Sequence, residues 1–177
     1  MKNNNDEILV TIVVVTYNSA KFVLETLESA KNQTYANIEL IITDDCSFDG
    51  TINICKNWIE LNNQRFIRTE IVTVNKNTGI PANFNRGLNA SQGSWIKFIA
   101  GDDVLFSDAI EKLISFQYQH KSVGAIHGGI VYIDKYGKEK SAYLLNAMNS
   151  YPSFWEEFRS NKIHTPTVIF KKSSLLK

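Results

Sequence analysis

The stretch Ile8-Leu-Val-Thr-Ile-Val-Val-Val-Thr16 is almost unbroken in β-branched and aliphatic residues. It has no alternating polar face, so it reads as a strand covered on both sides, as in a parallel sheet. The period then changes to that of a helix. From Ser19 to about Asn32, Val23, Leu24, Leu27 and Ala30 recur at helical spacing, and Lys21, Glu25, Glu28 and Lys31 take the outer face. Asn18 or Ser19 is placed to cap this helix. The cycle repeats with Ile38-Glu-Leu-Ile-Ile-Thr43 as a strand and Asp44-Asp-Cys-Ser-Phe-Asp49 as a polar loop. A helix follows with Ile52, Cys55, Trp58 and Ile59 inward and Asp49 as its N-cap. Arg65 to Val74 reads as a third strand, Asn75 to Ile80 as a loop, and Pro81 as the first residue of a helix running to about Ser91. Trp95 to Ala100 is the fourth strand, and Ser107 caps a helix with Ile110, Leu113 and Ile114 on one face.

Strands alternating with helices predict a doubly wound α/β fold. Its central sheet is mostly parallel, with helices on both faces and right-handed crossovers. In such sheets ligands bind beyond the carboxyl ends of the strands. Thr16-Tyr-Asn18, Asp44-Asp45, Asn77 and Asp102-Asp103 all fall just past successive strand ends. Beyond residue 121 the pattern is weaker. Val123 to Ile133 has strand character with a Gly128-Gly129 kink, and Asp134-Lys-Tyr-Gly137 reads as a hairpin turn. Ser153-Phe-Trp-Glu156 reads as a capping box, and Thr167 to Lys171 as a last strand. Residues 1–7 read as a polar, disordered tip and residues 8–177 as one domain, incomplete at its C-terminus.

Charge removes several partners from consideration. Lys plus Arg number 19 against 18 Asp plus Glu, and a net charge of +1 gives no general attraction to nucleic acid. Cys46 and Cys55 are the only cysteines, too few for a disulfide framework or a cysteine zinc site, and both are expected to be reduced. His120, His127 and His164 lack metal-ligand spacing. The chain carries no P-loop, no Gly-x-Gly-x-x-Gly and no Gly-x-Ser-x-Gly. No apolar run approaches the roughly 20 residues of a spanning helix.

Asp102 and Asp103 stand side by side where a strand leaves the core. Adjacent carboxylates repel and are costly to desolvate, so the arrangement calls for open water, hydrogen-bond donors or a divalent cation such as Mg²⁺ or Mn²⁺. Such an ion bridges a diphosphate and stabilises the charge that develops as it leaves. Asp44-Asp45 is a second acidic pair, which serves either turn chemistry or a ligand N–H. Tyr17 offers an aromatic face to a base or to neighbouring side chains. Asn77-Thr-Gly79, Asn83, Asn85 and Arg86 offer donors for phosphate or sugar and serve equally as loop and cap residues.

Taken together, these residues resemble the family 2 glycosyltransferases of the GT-A fold, over Val10 to about Phe116. Val13-Val-Val-Thr-Tyr-Asn18 is similar to the family's opening strand and turn, and Leu27-Glu-Ser-Ala-Lys-Asn-Gln-Thr-Tyr35 to its first helix. Asp44-Asp-Cys-Ser-Phe-Asp-Gly-Thr51 resembles its second motif, and Asp102-Asp103 takes the place of its Asp-x-Asp-type motif. The resemblance implies a GT-A (Rossmann-like) fold and a nucleotide-diphosphate sugar of UDP or GDP type. It places Tyr17 against the base with Asp45 hydrogen-bonded to it, and Thr16, Asn18 and Asn77 around the donor. Asp102 would lie near the ribose or metal, and Asp103 would ligate Mn²⁺ or Mg²⁺.

The resemblance further implies an inverting transfer to an acceptor saccharide or glycolipid. The expected setting is surface polysaccharide or glycoconjugate synthesis in the cytoplasm at the inner face of a membrane, with peripheral membrane association of the full-length protein. Three departures matter. Cys46 stands for the usual Gly, and Phe84 stands where many members have Arg, with Arg86 two positions on and facing elsewhere. Thr165-Pro-Thr-Val-Ile-Phe-Lys-Lys-Ser173 resembles the segment before the family's Glu-Asp motif, so the general base is expected beyond Lys177 and the chain is read as truncated. The alternatives carried alongside are a nucleotide-sugar-binding fragment without activity, a nucleotidyl transferase, and a Mg²⁺-binding receiver-like signalling domain.

Overall fold

A computed structural model describes residues 8–143 and 164–176. Its main sheet has six strands, built on β1 (Val10–Thr16), β2 (Ile38–Asp44), β3 (Arg68–Thr73) and β4 (Trp95–Ala100). The order is β3-β2-β1-β4, extended by β8 (Val168–Lys171) and β5 (Ala125–His127). The first four run parallel, with Val10 level with Ile38 and Trp95. β8 lies antiparallel between β4 and β5, with Lys97 level with Ile169. The doubly wound, mostly parallel α/β expectation is met.

Burial on both faces explains the unbroken apolar strands. Val10, Ile12 and Val14 point to one core with Leu27 and Ala30 of α1 (Val23–Lys31), Cys55 and Trp58 of α2 (Thr51–Asn62), and Ile110 and Ile114 of α4 (Ala109–Gln119). Val13, Ile41, Ile96 and Phe98 point to the other, closed by Leu88 and Phe84 of α3 (Ile80–Ala90). α3 lies so close to the sheet that a Cβ on Gly87 would come 2.3 Å from Val13 Cγ1 and 3.1 Å from Thr43 Cγ2. Gly87→Ala is therefore expected to destabilise the fold by about 1–2 kcal/mol, because overpacking outweighs the gain of about 1 kcal/mol in helix propensity. Midpoints of urea unfolding measure this, and an unchanged or raised midpoint would refute it.

Where element boundaries differ from the sequence expectations, long-range hydrogen bonds explain the shift. α1 begins at Val23 rather than Ser19, because Ser19 N–H donates to Thr51 Oγ1 (2.8 Å) and Ala20 N–H to Asp49 Oδ2 (3.0 Å). Those bonds tie the chain after β1 to the loop after β2 before the helix can start. Asp49 does not occupy the N-cap of α2. Gly50 does, at φ 93°, while Asp49 Oδ1 accepts from Thr51 N–H one residue earlier than expected. Ser107 does not cap α4 with its side chain; its carbonyl accepts Thr34 N–H, and the helix begins after Asp108.

β3 starts at Arg68, since Arg65 ends a 3-10 turn (Asn63–Arg65) and donates to the carbonyls of Lys31, Gln33, Tyr35 and Ala36. The Gly128-Gly129 kink divides the expected strand into β5 and β6 (Ile130–Ile133). β6 leaves the main sheet and pairs with β7 (Glu139–Tyr143) across the expected turn at Asp134–Gly137. The Ser153–Glu156 capping box lies outside the described residues. Among the described residues no helix is long and apolar enough to cross a membrane.

Candidate functional site

The carboxyl ends of β1, β2 and β4 are joined by hydrogen bonds, not by side-chain packing alone. Thr16 is buried, and its Oγ1 donates to Asp44 Oδ1 at 2.8 Å. Asp44 also accepts from Ser47 N–H (2.8 Å) and Ser47 Oγ (2.6 Å), which closes the turn after β2. Asn18, at φ 52°, donates its N–H to Ser47 Oγ (2.7 Å) and accepts Phe48 N–H on Oδ1 (3.1 Å). Thr16, Asn18 and Asp44 thus shape the two loops. Tyr17 is left 46% exposed and Phe48 83% exposed, their rings edge to face with centroids 6.5 Å apart. Two aromatic surfaces in water at a strand end are available to a planar ligand.

Asp45 is buried and fully engaged. Oδ2 accepts N–H groups of Thr78 (2.9 Å) and Gly79 (2.7 Å); Oδ1 accepts Thr78 Oγ1 (2.7 Å) and the Arg86 guanidinium (2.6 Å). Burial raises the pKa of the Asp45 carboxyl, but the bonds from Thr78, Arg86 and Gly79 outweigh it and hold the group below the usual carboxylate range. Arg86 also reaches Thr78 Oγ1 (2.8 Å) and Asn83 Oδ1 (3.0 Å). It leaves the helix on a different side from Phe84, whose ring packs on Phe98 at 4.9 Å between centroids. Asn77 is exposed, and its Oδ1 accepts Gly79 N–H at 3.0 Å. The structure brings Asp45, Asn77 and Arg86 into one cluster that fixes the loop after β3. A base could bond to Asp45 only by displacing one of these donors.

Asp102 and Asp103 behave oppositely. Gly101 lets their loop approach the first one, since a Cβ there would lie 2.9 Å from both Ser19 Oγ and Thr16 Cγ2. Among the described residues no side-chain donor hydrogen-bonds either carboxylate, and Asp103 has only a backbone hydrogen bond at Ala100. Burial, and then the neighbouring Asp102, push the Asp103 carboxyl above its usual range, partly opposed by Lys97. A half-buried carboxylate beside another, whose pKa stays raised despite Lys97 and a backbone hydrogen bond, favours a bound cation. Its hard oxygen ligands fit Mg²⁺ or Mn²⁺. Among the described residues no three His, Cys, Asp or Glu side chains converge as a ready-made metal site. The remaining ligands of such an ion would be water and ligand oxygens.

Beside the acid pair lies a cavity of about 420 Å³, walled by Ile130 to Ile133 of β6 and by His164, Thr165 and Pro166. Tyr132 stands edge-on to the His164 ring, 5.8 Å between centroids. Under this wall Lys97 of β4 is buried and hydrogen-bonded to the carbonyls of Pro166 and Val168. The sequence reading missed Phe48, Lys97 and the pairing of Arg86 with Asp45. The only signal was a lone lysine within an apolar strand.

Comparison with known proteins adds the family. The mannosyltransferase PcManGT from Pyrobaculum calidifontis in complex with GDP-Man and Mn²⁺ superposes with a TM-score of 0.69 at 20% identity, over 94% of this chain and 45% of that one. S. aureus TarS 1-349 in complex with UDP-GlcNAc superposes with a TM-score of 0.67 at 21% identity, over 94% and 46%. At these identities they share the fold. An uncharacterized glycosyltransferase of Haemophilus influenzae is 29% identical over 167 residues, which are 94% of this chain and 64% of that protein. The chain therefore spans less than two thirds of this relative and under half of either solved structure. The ordered strand-end motifs, this fold and a match of the profile described as Glycosyl transferase family 2 over residues 11–176 together place the chain in glycosyl transferase family 2.

Proposed function

We propose that the chain is the donor-binding part of an inverting, metal-dependent glycosyltransferase that takes a nucleotide-diphosphate sugar of UDP or GDP type. The observation that carries this reading is the acid pair at the end of β4, which no described side-chain donor meets, set between two exposed aromatic rings at the end of β1 and β2 and a cavity at the start of β8. Family membership and the fold shared with nucleotide-sugar-bound structures support it and set aside the receiver-like and nucleotidyl-transfer alternatives.

Along the sheet order β2-β1-β4-β8, Tyr17 and Phe48 come first, Asp102 and Asp103 next, and the cavity last. That sequence of surfaces suits a base, a diphosphate and a sugar. Tyr17 offers its face to the base, and the Asp45–Arg86 cluster holds the Thr78–Gly79 loop beside it. Asp103, with Asp102, would hold a divalent cation whose charge stabilises the departing diphosphate. The acceptor hydroxyl attacks the anomeric carbon in line as the bond to the diphosphate oxygen breaks, which inverts the centre. No described residue is assigned as the base. We place the product in surface polysaccharide or glycoconjugate synthesis, with a saccharide or glycolipid acceptor at the cytoplasmic face of a membrane.

Isothermal titration of UDP, GDP, UDP-GlcNAc and GDP-mannose, with and without Mn²⁺, tests the donor reading. At least one nucleotide is expected to bind, and only in the presence of the metal. Absence of binding in every titration, or binding indifferent to Mn²⁺, would overturn the reading.

A further inference from the structure

β4 is Trp95-Ile-Lys-Phe-Ile-Ala100, and Lys97 is its one charged residue, 1% exposed in the centre of the sheet. An ammonium so placed is costly unless acceptors meet it. Its acceptors come from a single segment: Nζ donates to the carbonyl of Pro166 and to that of Val168 at 3.3 Å. Pro166 lies in the 3-10 turn Thr165–Thr167, and Val168 opens β8. Because β8 runs antiparallel with Ile169 level with Lys97, that turn lies alongside the carboxyl end of β4, close to Asp102 and Asp103. The turn supplies Thr165 and Pro166 to the cavity wall whose other side includes the acid pair. Lys97 thus bonds the strand that leads to Asp103 to the wall that faces it.

Packing alone would not select this residue. Ile12, level with Lys97 on β1, and Trp95 and Ile99 on the same face are all apolar, and a methionine would fill a similar volume. What the lysine adds is a pair of directional bonds to a turn. Burial draws the Lys97 pKa down to about 7, against the pull of the Asp103 carboxylate, so the bonds are retained at a cost.

We propose that Lys97 is a positioning residue for the sugar portion of the bound nucleotide sugar, holding the Thr165–Thr167 turn at a fixed separation from Asp103. This rests on the donor-site reading above. A sugar whose diphosphate is anchored at the acid pair meets the cavity wall only if the two stay in register. Loss of the tether therefore weakens sugar contacts and spares the nucleoside diphosphate.

The experiment compares Kd values in saturating Mn²⁺ for UDP, UDP-glucose, UDP-GlcNAc, GDP and GDP-mannose with the unaltered chain, Lys97→Met and Phe98→Leu. Phe98→Leu thins the opposite face of β4, against Phe84, and serves as a control for destabilisation alone. For the preferred donor, Lys97→Met is expected to lose about tenfold in affinity for the nucleotide sugar and to keep its affinity for the matching nucleoside diphosphate within about twofold. Phe98→Leu is expected to lower the melting temperature and leave both constants unchanged. Should Lys97→Met fail to fold, Lys97→Gln, with a shorter amide donor, carries the same comparison. Equal losses for sugar and nucleotide, no loss in either, or an unaltered chain that binds every nucleotide sugar as it binds its nucleoside diphosphate would overturn the proposal. An unaltered chain that binds no nucleotide at all would instead overturn the donor-site reading.

Discussion

Asp103→Asn is expected to abolish Mn²⁺-dependent nucleotide binding, with an affinity loss of at least about 100-fold, while making the protein more stable. The two effects share one cause. In the folded chain Asp103 is half-buried beside Asp102 with no side-chain donor among the described residues, and burial and that neighbour push its carboxyl above the usual range despite Lys97 and a backbone hydrogen bond at Ala100. A group whose folded pKa is raised contributes stability that is fully present below its unfolded value and is lost as the pH rises through the folded one. At neutral pH the ionised pair is therefore a liability, which a cation held by both carboxylates would offset. Asparagine removes the repulsion together with the anionic ligand. Titration with Mn²⁺ and nucleotide, beside thermal melts at neutral pH without metal, reads both effects. A variant that still binds with metal dependence, or one that melts lower than the unaltered chain, would contradict this account. Asp102 is exposed, so Asp102→Asn is expected to cost less in binding.

The sequence made the parallel half of the sheet legible because strands buried on both faces carry continuous apolar runs, as in Val10–Thr16 and Ile38–Asp44. The strand-end acids were legible for the same reason, since a carboxylate directly after such a run has few uses. Pairings across long separations were not legible. Arg86 and Asp45 lie 41 positions apart, and nothing in the local pattern of α3 marks an arginine that turns back to the end of β2. Asp45 and Asp103 look alike as second members of acidic pairs, yet one receives four hydrogen bonds and the other meets no side-chain donor among the described residues. Helix starts moved for a related reason. Ser19, Asp49 and Ser107 are good cap residues in isolation, and each spends backbone or side-chain groups on a neighbouring loop. Lys97 was read as one member of an apolar strand, because its acceptors belong to a turn and the antiparallel strand it opens, about 70 residues later.

Asp45→Asn is expected to be the most destabilising polar substitution in the site, at about 3 kcal/mol, the lower end for a broken buried pair because Arg86 is partly exposed. The asparagine keeps the shape of the side chain and loses the charge that Arg86 answers. One of its two polar atoms also becomes a donor, facing either Arg86 and the Thr78 hydroxyl or the N–H groups of Thr78 and Gly79. The pH dependence separates this from a packing effect. Because Thr78, Arg86 and Gly79 hold the Asp45 carboxyl below the usual range, its contribution is present above the unfolded value and is lost as the pH falls through the folded one. Urea unfolding of the unaltered chain and the variant should therefore differ most at neutral pH and converge in acid. Nucleotide affinity should fall with stability, since the Thr78–Gly79 loop loses its anchor beside the exposed Tyr17 and Phe48 rings. A difference that stays constant across the acid range would place the loss in packing, and unchanged nucleotide affinity in a folded variant would remove this loop from the donor site.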